Sequence, residues 1–167
     1  MARSQSLEAM SPGWWKHPVH ALACGLGTGL SPVAPGTVGS LVGVALFWVM
    51  APLPPAVYAA ITVALALAGV FICGQTAHDL GLQDPGAIVY DEIVGFLVAM
   101  YLLPRDWRWV AAGFVLYRLF DIWKPWPIRV VEKSLGVGGG IVADDIVAGL
   151  YTLAVLNLAR WALEHLG

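Results

Sequence analysis

The chain has 167 residues, of which 59% are apolar and only 12% carry a formal charge, whereas a soluble domain is about 45–50% apolar and about 25% charged. This composition indicates a membrane protein rather than a water-soluble globule. The net charge of −2 argues against a general affinity for nucleic acid.

Residues 1–17 are predicted to form a mobile, partly interfacial N-terminal tail, because Trp14, Trp15 and Lys16 are typical of a membrane–water interface. Residues 18–167 are predicted to form a single helical domain. Residues 20–40 contain too much Gly and Pro for a regular span. Thr37 in this stretch is a candidate hydroxyl donor to a phosphate, although close helix packing explains the glycines equally well.

The rest of the chain is predicted to be an all-α, membrane-embedded bundle of about five to six helices. The apolar runs and the prolines that end them place these helices at 39–51, 55–74, 92–103, 109–124, 126–134 and 145–163. Several are shorter than the about 20 residues that one span needs. We therefore expect some to tilt or to pack around one central helix. The Gly-rich segment 136–140 is predicted to be a link.

The acidic residues fall into three groups, each beside an apolar helix: Asp79, Asp84, Asp91 and Glu92; Asp121; and Asp144 with Asp145. Ionisable side chains beside membrane helices usually mark a functional site. Helix capping is the alternative for Asp91 and Asp144, since Asp is a good N-cap. Glu92 and Asp145 each follow another acid directly, which capping does not require. We expect the three groups to converge on one pocket.

Arg118, Asp121 and Lys124 are spaced at i, i+3, which places them near one helix face. Two cations and one anion on an apolar helix could hold a phosphate and a metal ion, or could form a plain intrahelical ion pair. Oxygen ligands favour Mg²⁺ or Mn²⁺ over zinc, and no Cys/His cluster suited to zinc occurs. His78 beside Asp79 is a weaker candidate for a general acid.

Four sequence blocks resemble the phosphatidylglycerophosphatase A family, over about residues 18–160. They are GLGTGLSPVAPGTVGS (25–40), QTAHDLGLQDPGAIVYDEIVG (75–95), LYRLFDIWKPWPIR (116–129) and GGGIVADDIVAG (138–149). Near the last acids the chain departs from the usual family pattern, with Val137 in place of Gly and Val142 in place of Met. We interpret both changes as drift at packing positions.

The resemblance implies a helical bundle with one central helix, and Mg²⁺-dependent hydrolysis of phosphatidylglycerophosphate to phosphatidylglycerol in the bacterial inner membrane. The partners would be the bilayer and its phospholipid substrate, with no nucleic acid. Position by position, the implied polar site residues are Asp84, Asp91, Glu92, Asp121, Lys124, Asp144 and Asp145.

The roles that we predict for these residues combine the resemblance with the chemistry of the side chains. The predicted catalytic residues are Asp91, Glu92, Asp121, Asp144 and Asp145. The predicted metal ligands are Asp84, Glu92, Asp121 and Asp145, and the predicted phosphate-binding residues are Lys124, Arg118, Arg129 and Thr37. Excess Lys and Arg beside the site predicts that it faces the cytoplasm. A transporter is the competing class, and it would place the acids deep within the spans.

Overall fold

The structure is a computed structural model that describes residues 16–166, without the side chain of Leu166. The predicted tail therefore lies outside the described residues up to position 15. Between residues 16 and 166 the chain forms helices and no strand, and this confirms the prediction of an all-α fold. In chain order the helices are α1 (Pro18–Ala23), a 3₁₀ helix (Gly25–Leu30), α2 (Pro35–Met50), α3 (Pro55–Leu80), α4 (Tyr90–Ala99), α5 (Trp107–Trp123), α6 (Ile128–Ser134) and α7 (Gly136–Leu166).

Local sequence signals explain where several of these helices begin and end. Pro18, Pro35 and Pro55 each occupy the first turn of a helix, where the missing N–H costs no hydrogen bond. Gly81 ends α3 in the left-handed conformation with φ 66°, which glycine adopts without steric cost. Asp106 caps α5 by accepting a hydrogen bond from the backbone N–H of Arg108 at 2.7 Å.

Helix α4 is the central helix of the bundle and is surrounded by α2, α3, α5 and α7. Its side chains Phe96 and Leu97 are fully buried, together with Phe47 from α2 and Tyr117 from α5. Gly95 allows close contact, because a Cβ there would lie 2.7 Å from the carbonyl oxygen of Asp145 on α7. The predicted central helix is thus confirmed, and its second turn lies beside the N-terminal third of α7.

Four predicted helix boundaries were wrong by four residues or more. Helix α3 continues to Leu80 rather than ending at residue 74, and α4 ends at Ala99 rather than at residue 103. Helix α2 begins at Pro35 rather than at residue 39, so the end of the Gly/Pro-rich stretch is helical. Helix α7 begins at Gly136 rather than at residue 145, so segment 136–140 is part of a helix and is not a link. The physical reason is packing: a Cβ on Gly138 would lie 2.2 Å from the carbonyl oxygen of Val70, and one on Gly140 equally close to that of Glu132.

Helices α3 and α7 are long and apolar enough to cross a bilayer. Only 28% of the most apolar stretch of α3 and 44% of that of α7 is buried within the protein. The core helix of a soluble protein would be mostly buried, so the exposed apolar surface of these two helices fits contact with lipid. The fold therefore supports association with a membrane.

Candidate active site

A cavity of about 650 Å³ opens where the first turns of α2 and α4 meet the last turn of α5 and the N-terminal third of α7. The loop between α3 and α4, and helix α6, complete its wall. Three basic side chains line it: Arg118, Lys124 and Lys133. Seven carboxylates do so as well: Asp84, Asp91, Glu92, Asp121, Glu132, Asp144 and Asp145. Because carboxylates outnumber the basic groups, the cavity has a local excess of negative charge that a cation would neutralise.

All three predicted groups of acids contribute to this cavity, as the convergence prediction required. Asp79 is the exception. Its carboxylate accepts a hydrogen bond from Gln75 at 2.8 Å and lies 3.4 Å from Nε2 of His20, outside the cavity wall. His78 also contacts Asp79, at 3.2 Å, and its side chain is largely exposed. Neither His78 nor Asp79 is part of the cavity wall.

Arg118 connects two of the acid groups. Its Nη1 lies 2.5 Å from Oδ2 of Asp121 and 3.9 Å from Oε1 of Glu92. The pair on α5 is therefore more than an intrahelical ion pair, because the guanidinium also reaches the first turn of α4. All three side chains are mostly buried. Arg118 Nε is buried and has no hydrogen-bond partner in the described structure, which is costly for a charged donor unless an anion pairs with it.

Lys124 connects α5 to the other two walls. Its Nζ donates to Oδ2 of Asp144 at 2.5 Å and to Oε2 of Glu132 at 3.1 Å. Burial lowers the pKa of Lys124, but the hydrogen bonds and charges of Asp144 and Glu132 outweigh this effect, so the pKa lies above its ordinary value. Lys124 therefore remains a cation in the cavity.

Glu132 is a cavity residue that the sequence reasoning missed. It is not among the candidate site residues of the sequence, whereas in the structure its Oε2 accepts a hydrogen bond from Nζ of Lys124. Its position as the sole acid on α6 is the signal that could have identified it.

Asp91 and Glu92 lie in the first turn of α4. Asp91 is not the N-cap, since Val89 holds that position. Oδ1 of Asp91 and Oε2 of Glu92 are buried and have no hydrogen-bond partner in the described structure. Burying a carboxylate oxygen without a partner costs free energy. Either oxygen would therefore be stabilised by binding a cation or a proton.

Asp144 and Asp145 lie more than two turns inside α7, so capping does not explain Asp144. Asp145 is buried, and its Oδ1 accepts a short hydrogen bond from the hydroxyl of Tyr117. Tyr117 is itself fully buried. Tyr117 is not part of the cavity wall, so this hydrogen bond holds the Asp145 carboxylate from within the core.

Asp84 reaches the cavity from the loop between α3 and α4. Burial raises the pKa of this carboxyl group, and the positive charge of Lys124 offsets only part of that effect. The structure brings Arg118 and Lys124 together with the acids. Arg129 and Thr37 lie outside the cavity wall, Arg129 exposed on α6 and Thr37 half-buried on α2, and their predicted roles stay predictions.

The donor set fits a hard divalent cation. The cavity offers carboxylate oxygens, including the two unpartnered ones of Asp91 and Glu92. Across residues 16–166, however, no three His, Cys, Asp or Glu side chains form a ready-made metal cluster. Such a spread arrangement is compatible with Mg²⁺, which typically takes one or two carboxylates and completes its shell with water and phosphate oxygens.

The sequence profile of the phosphatidylglycerophosphatase A family matches residues 21–160. A protein named phosphatidylglycerophosphatase A from Escherichia coli K12 is 46% identical over 141 residues, covering 84% of this chain and 82% of the relative. One of the same name from Haemophilus influenzae is 40% identical over 150 residues, covering 88% and 92%. A third relative, from Bacteroides thetaiotaomicron, is 35% identical over 151 residues, covering 85% and 93%, and is named provisionally as a phosphatidylinositol-3-phosphatase. No solved structure matches the chain.

Proposed function

Since the chain belongs to the phosphatidylglycerophosphatase A family, we propose that it hydrolyses phosphatidylglycerophosphate to phosphatidylglycerol and inorganic phosphate with the help of Mg²⁺. This reaction serves the synthesis of phosphatidylglycerol and cardiolipin. The enzyme works in the bacterial inner membrane as a multi-pass protein, with its site facing the cytoplasm. The observation that carries the proposal is the cavity in which seven carboxylates and three basic groups meet at one end of the bundle.

Four carboxylates would hold the Mg²⁺ ion, and they reach the cavity from four different elements: Asp84, Glu92, Asp121 and Asp145. When bound, Mg²⁺ polarises the phosphate and lowers the pKa of a coordinated water. The unpartnered oxygen of Glu92 and the excess of carboxylates support this assignment. Tyr117 fixes the orientation of Asp145 through its hydroxyl.

Arg118 and Lys124 bind the oxygens of the terminal phosphate. Arg118 has a free Nε donor, and its planar guanidinium suits phosphate geometry. Lys124 is held in place by Asp144 and Glu132, so its charge is positioned before the substrate arrives. Phosphoryl transfer depends mainly on such positioning and charge neutralisation. Arg118 and Lys124 supply both the positioning of the phosphate and the neutralisation of its charge.

Asp91 accepts the proton of the attacking water. Its Oδ1 is buried and unpartnered beside the carboxylate of Glu92, which gives it a free acceptor within the cavity wall. Asp144 acts through Lys124, because its carboxylate bonds to that ammonium group. The positions of the two residues thus favour a base role for Asp91 and a positioning role for Asp144.

Phosphate release from the purified protein tests the proposal. The substrates are phosphatidylglycerophosphate, phosphatidate, lysophosphatidate and phosphatidylinositol 3-phosphate, each with Mg²⁺ and with a chelator. We expect the highest kcat/KM with phosphatidylglycerophosphate and loss of activity with the chelator. A preference for another lipid phosphate would overturn the substrate, and full activity without a divalent cation would overturn the metal mechanism.

A further inference from the structure

The outer face of α5 carries an exposed apolar stripe. Val115, Leu119 and Ile122 are spaced at i, i+4 and i+7, so they lie on one side of the helix, and all three are exposed, with Leu119 at 53% and Ile122 at 71%. We call these three residues the α5 stripe. It runs about 10 Å along the helix axis. An apolar stripe of this kind is unfavourable against water and suits a lipid environment.

The α5 stripe leads directly to the mouth of the cavity. Ile122 is both the last member of the stripe and part of the cavity wall. Val137 on α7 also lines the cavity and is 44% exposed. The mouth therefore has apolar side chains on α5 and on α7, while Arg118 and Asp121 begin the charged wall within it.

This arrangement matches the two halves of a phospholipid. A phosphate group needs the basic side chains inside the cavity, and an acyl chain needs a continuous apolar surface that begins at the same opening. A cavity that takes only water-soluble phosphates gains nothing from exposed Ile122 and Val137, since a polar rim is better solvated.

We propose that the α5 stripe binds one acyl chain of the substrate lipid, and that the phosphate headgroup enters the cavity sideways between Ile122 and Val137. This inference rests on the proposed function, because it assigns the path of a phospholipid substrate. Because the α5 stripe binds the acyl chain of the substrate itself, the enzyme selects its substrate by acyl-chain length as well as by headgroup.

The test compares KM for phosphatidylglycerophosphate with two oleoyl chains, in detergent micelles, with KM for the same headgroup on two butanoyl chains. The variants are Leu119→Ser and Ile122→Ser. The matched control is Leu67→Ser, because Leu67 is 69% exposed on α3 and lies outside the cavity wall. We expect the ratio of short-chain to long-chain KM to fall about tenfold in both stripe variants, as removal of an apolar contact implies, and to stay unchanged in the control.

A ratio that stays constant in the stripe variants, or that falls equally in the Leu67 variant, would overturn the inference. A change in oligomeric state without a change in the ratio would do the same and would identify the α5 stripe as a contact between chains. If Leu119→Ser does not fold, Leu119→Ala reports the same ratio with a smaller decrease. Absence of phosphate release from both lipids would instead overturn the proposed function.

Discussion

Asp145 is the side chain at which a role in metal binding is most directly separated from a role in holding the helix. It is buried, it bonds to Tyr117, and it lies too far inside α7 to cap the helix. Replacing it with Asn keeps its size and most of its hydrogen bonding but removes the charge.

We expect Asp145→Asn, Glu92→Gln and Asp121→Asn each to lower kcat/KM by about 10²- to 10³-fold, the usual loss for one electrostatic group in an active site. Phosphate release at increasing Mg²⁺ is the measurement, and partial recovery at high Mg²⁺ is expected because a weakened site refills by mass action. Asp106→Asn is the control, since Asp106 caps α5 far from the cavity and Asn caps equally well. Near-normal activity in all three variants would eliminate the carboxylate–metal mechanism.

Tyr117 is expected to act as a positioning residue. Tyr117→Phe removes the hydroxyl that orients Asp145, so the Mg²⁺ concentration for half-maximal activity should rise by about tenfold or more, as for other outer partners of metal ligands. Tyr58→Phe is the matched control, because its buried hydroxyl bonds to the carbonyl of Leu97 at 2.7 Å, away from the cavity. Both variants should lose about 1 kcal/mol of unfolding free energy. Equal Mg²⁺ dependence in the two would show that Tyr117 only stabilises the fold.

At the scale of the element, the glycines of α7 show where sequence reasoning reached its limit. Because Gly and Pro normally interrupt helices, segment 136–140 was predicted to be a link. In the structure it forms the first turns of α7. The cause is tertiary: Gly138 lies against the backbone of α3, with the Gly74 Cα 2.8 Å from where its Cβ would be. No local pattern reveals which helix will pack there. The long apolar helix α3, in contrast, followed from composition alone.

Gly138→Ala tests this packing. A Cβ would lie 2.2 Å from the carbonyl oxygen of Val70, so α7 must move away from α3. We expect a loss of about 1–3 kcal/mol, typical of an overpacked contact, measured as a lower thermal midpoint in detergent. Gly139→Ala is the matched neighbour, because its Cβ would meet only the Leu135 Cβ, at 3.1 Å. If Gly138→Ala melts like Gly139→Ala, close contact does not explain the glycines.

At the scale of the whole molecule, the carboxylates and basic side chains of the cavity lie at one end of the bundle. The acids are far apart in sequence, and their types and neighbours indicated a shared pocket before the fold was known. The identity of the polar partners was not predictable in the same way. Glu132 reaches Lys124 because α6 packs against α7. Asp79 lies outside the cavity wall, where it contacts Gln75 on its own helix and His20 on α1.

The two ends of the bundle also predict an orientation in the membrane. The end with the cavity carries Arg118, Lys124, Arg129 and Lys133, and the opposite end carries Arg105, Arg108 and Arg160. Arg105 stacks over Trp48 at 5.0 Å. Because Lys and Arg are enriched on the cytoplasmic side, we expect the cavity end to face the cytoplasm.

Cysteine labelling in intact cells measures this orientation. Cys24 and Cys73 are both buried, so background labelling should be low. A membrane-impermeant thiol reagent should label Arg105→Cys from outside and should label Ser134→Cys only after the cells are opened. Both positions are exposed, so a difference in labelling reports the side of the membrane rather than burial in the fold. The reverse pattern would place the cavity on the outer side of the membrane, and labelling of both positions from outside would contradict a bundle that spans the bilayer between them.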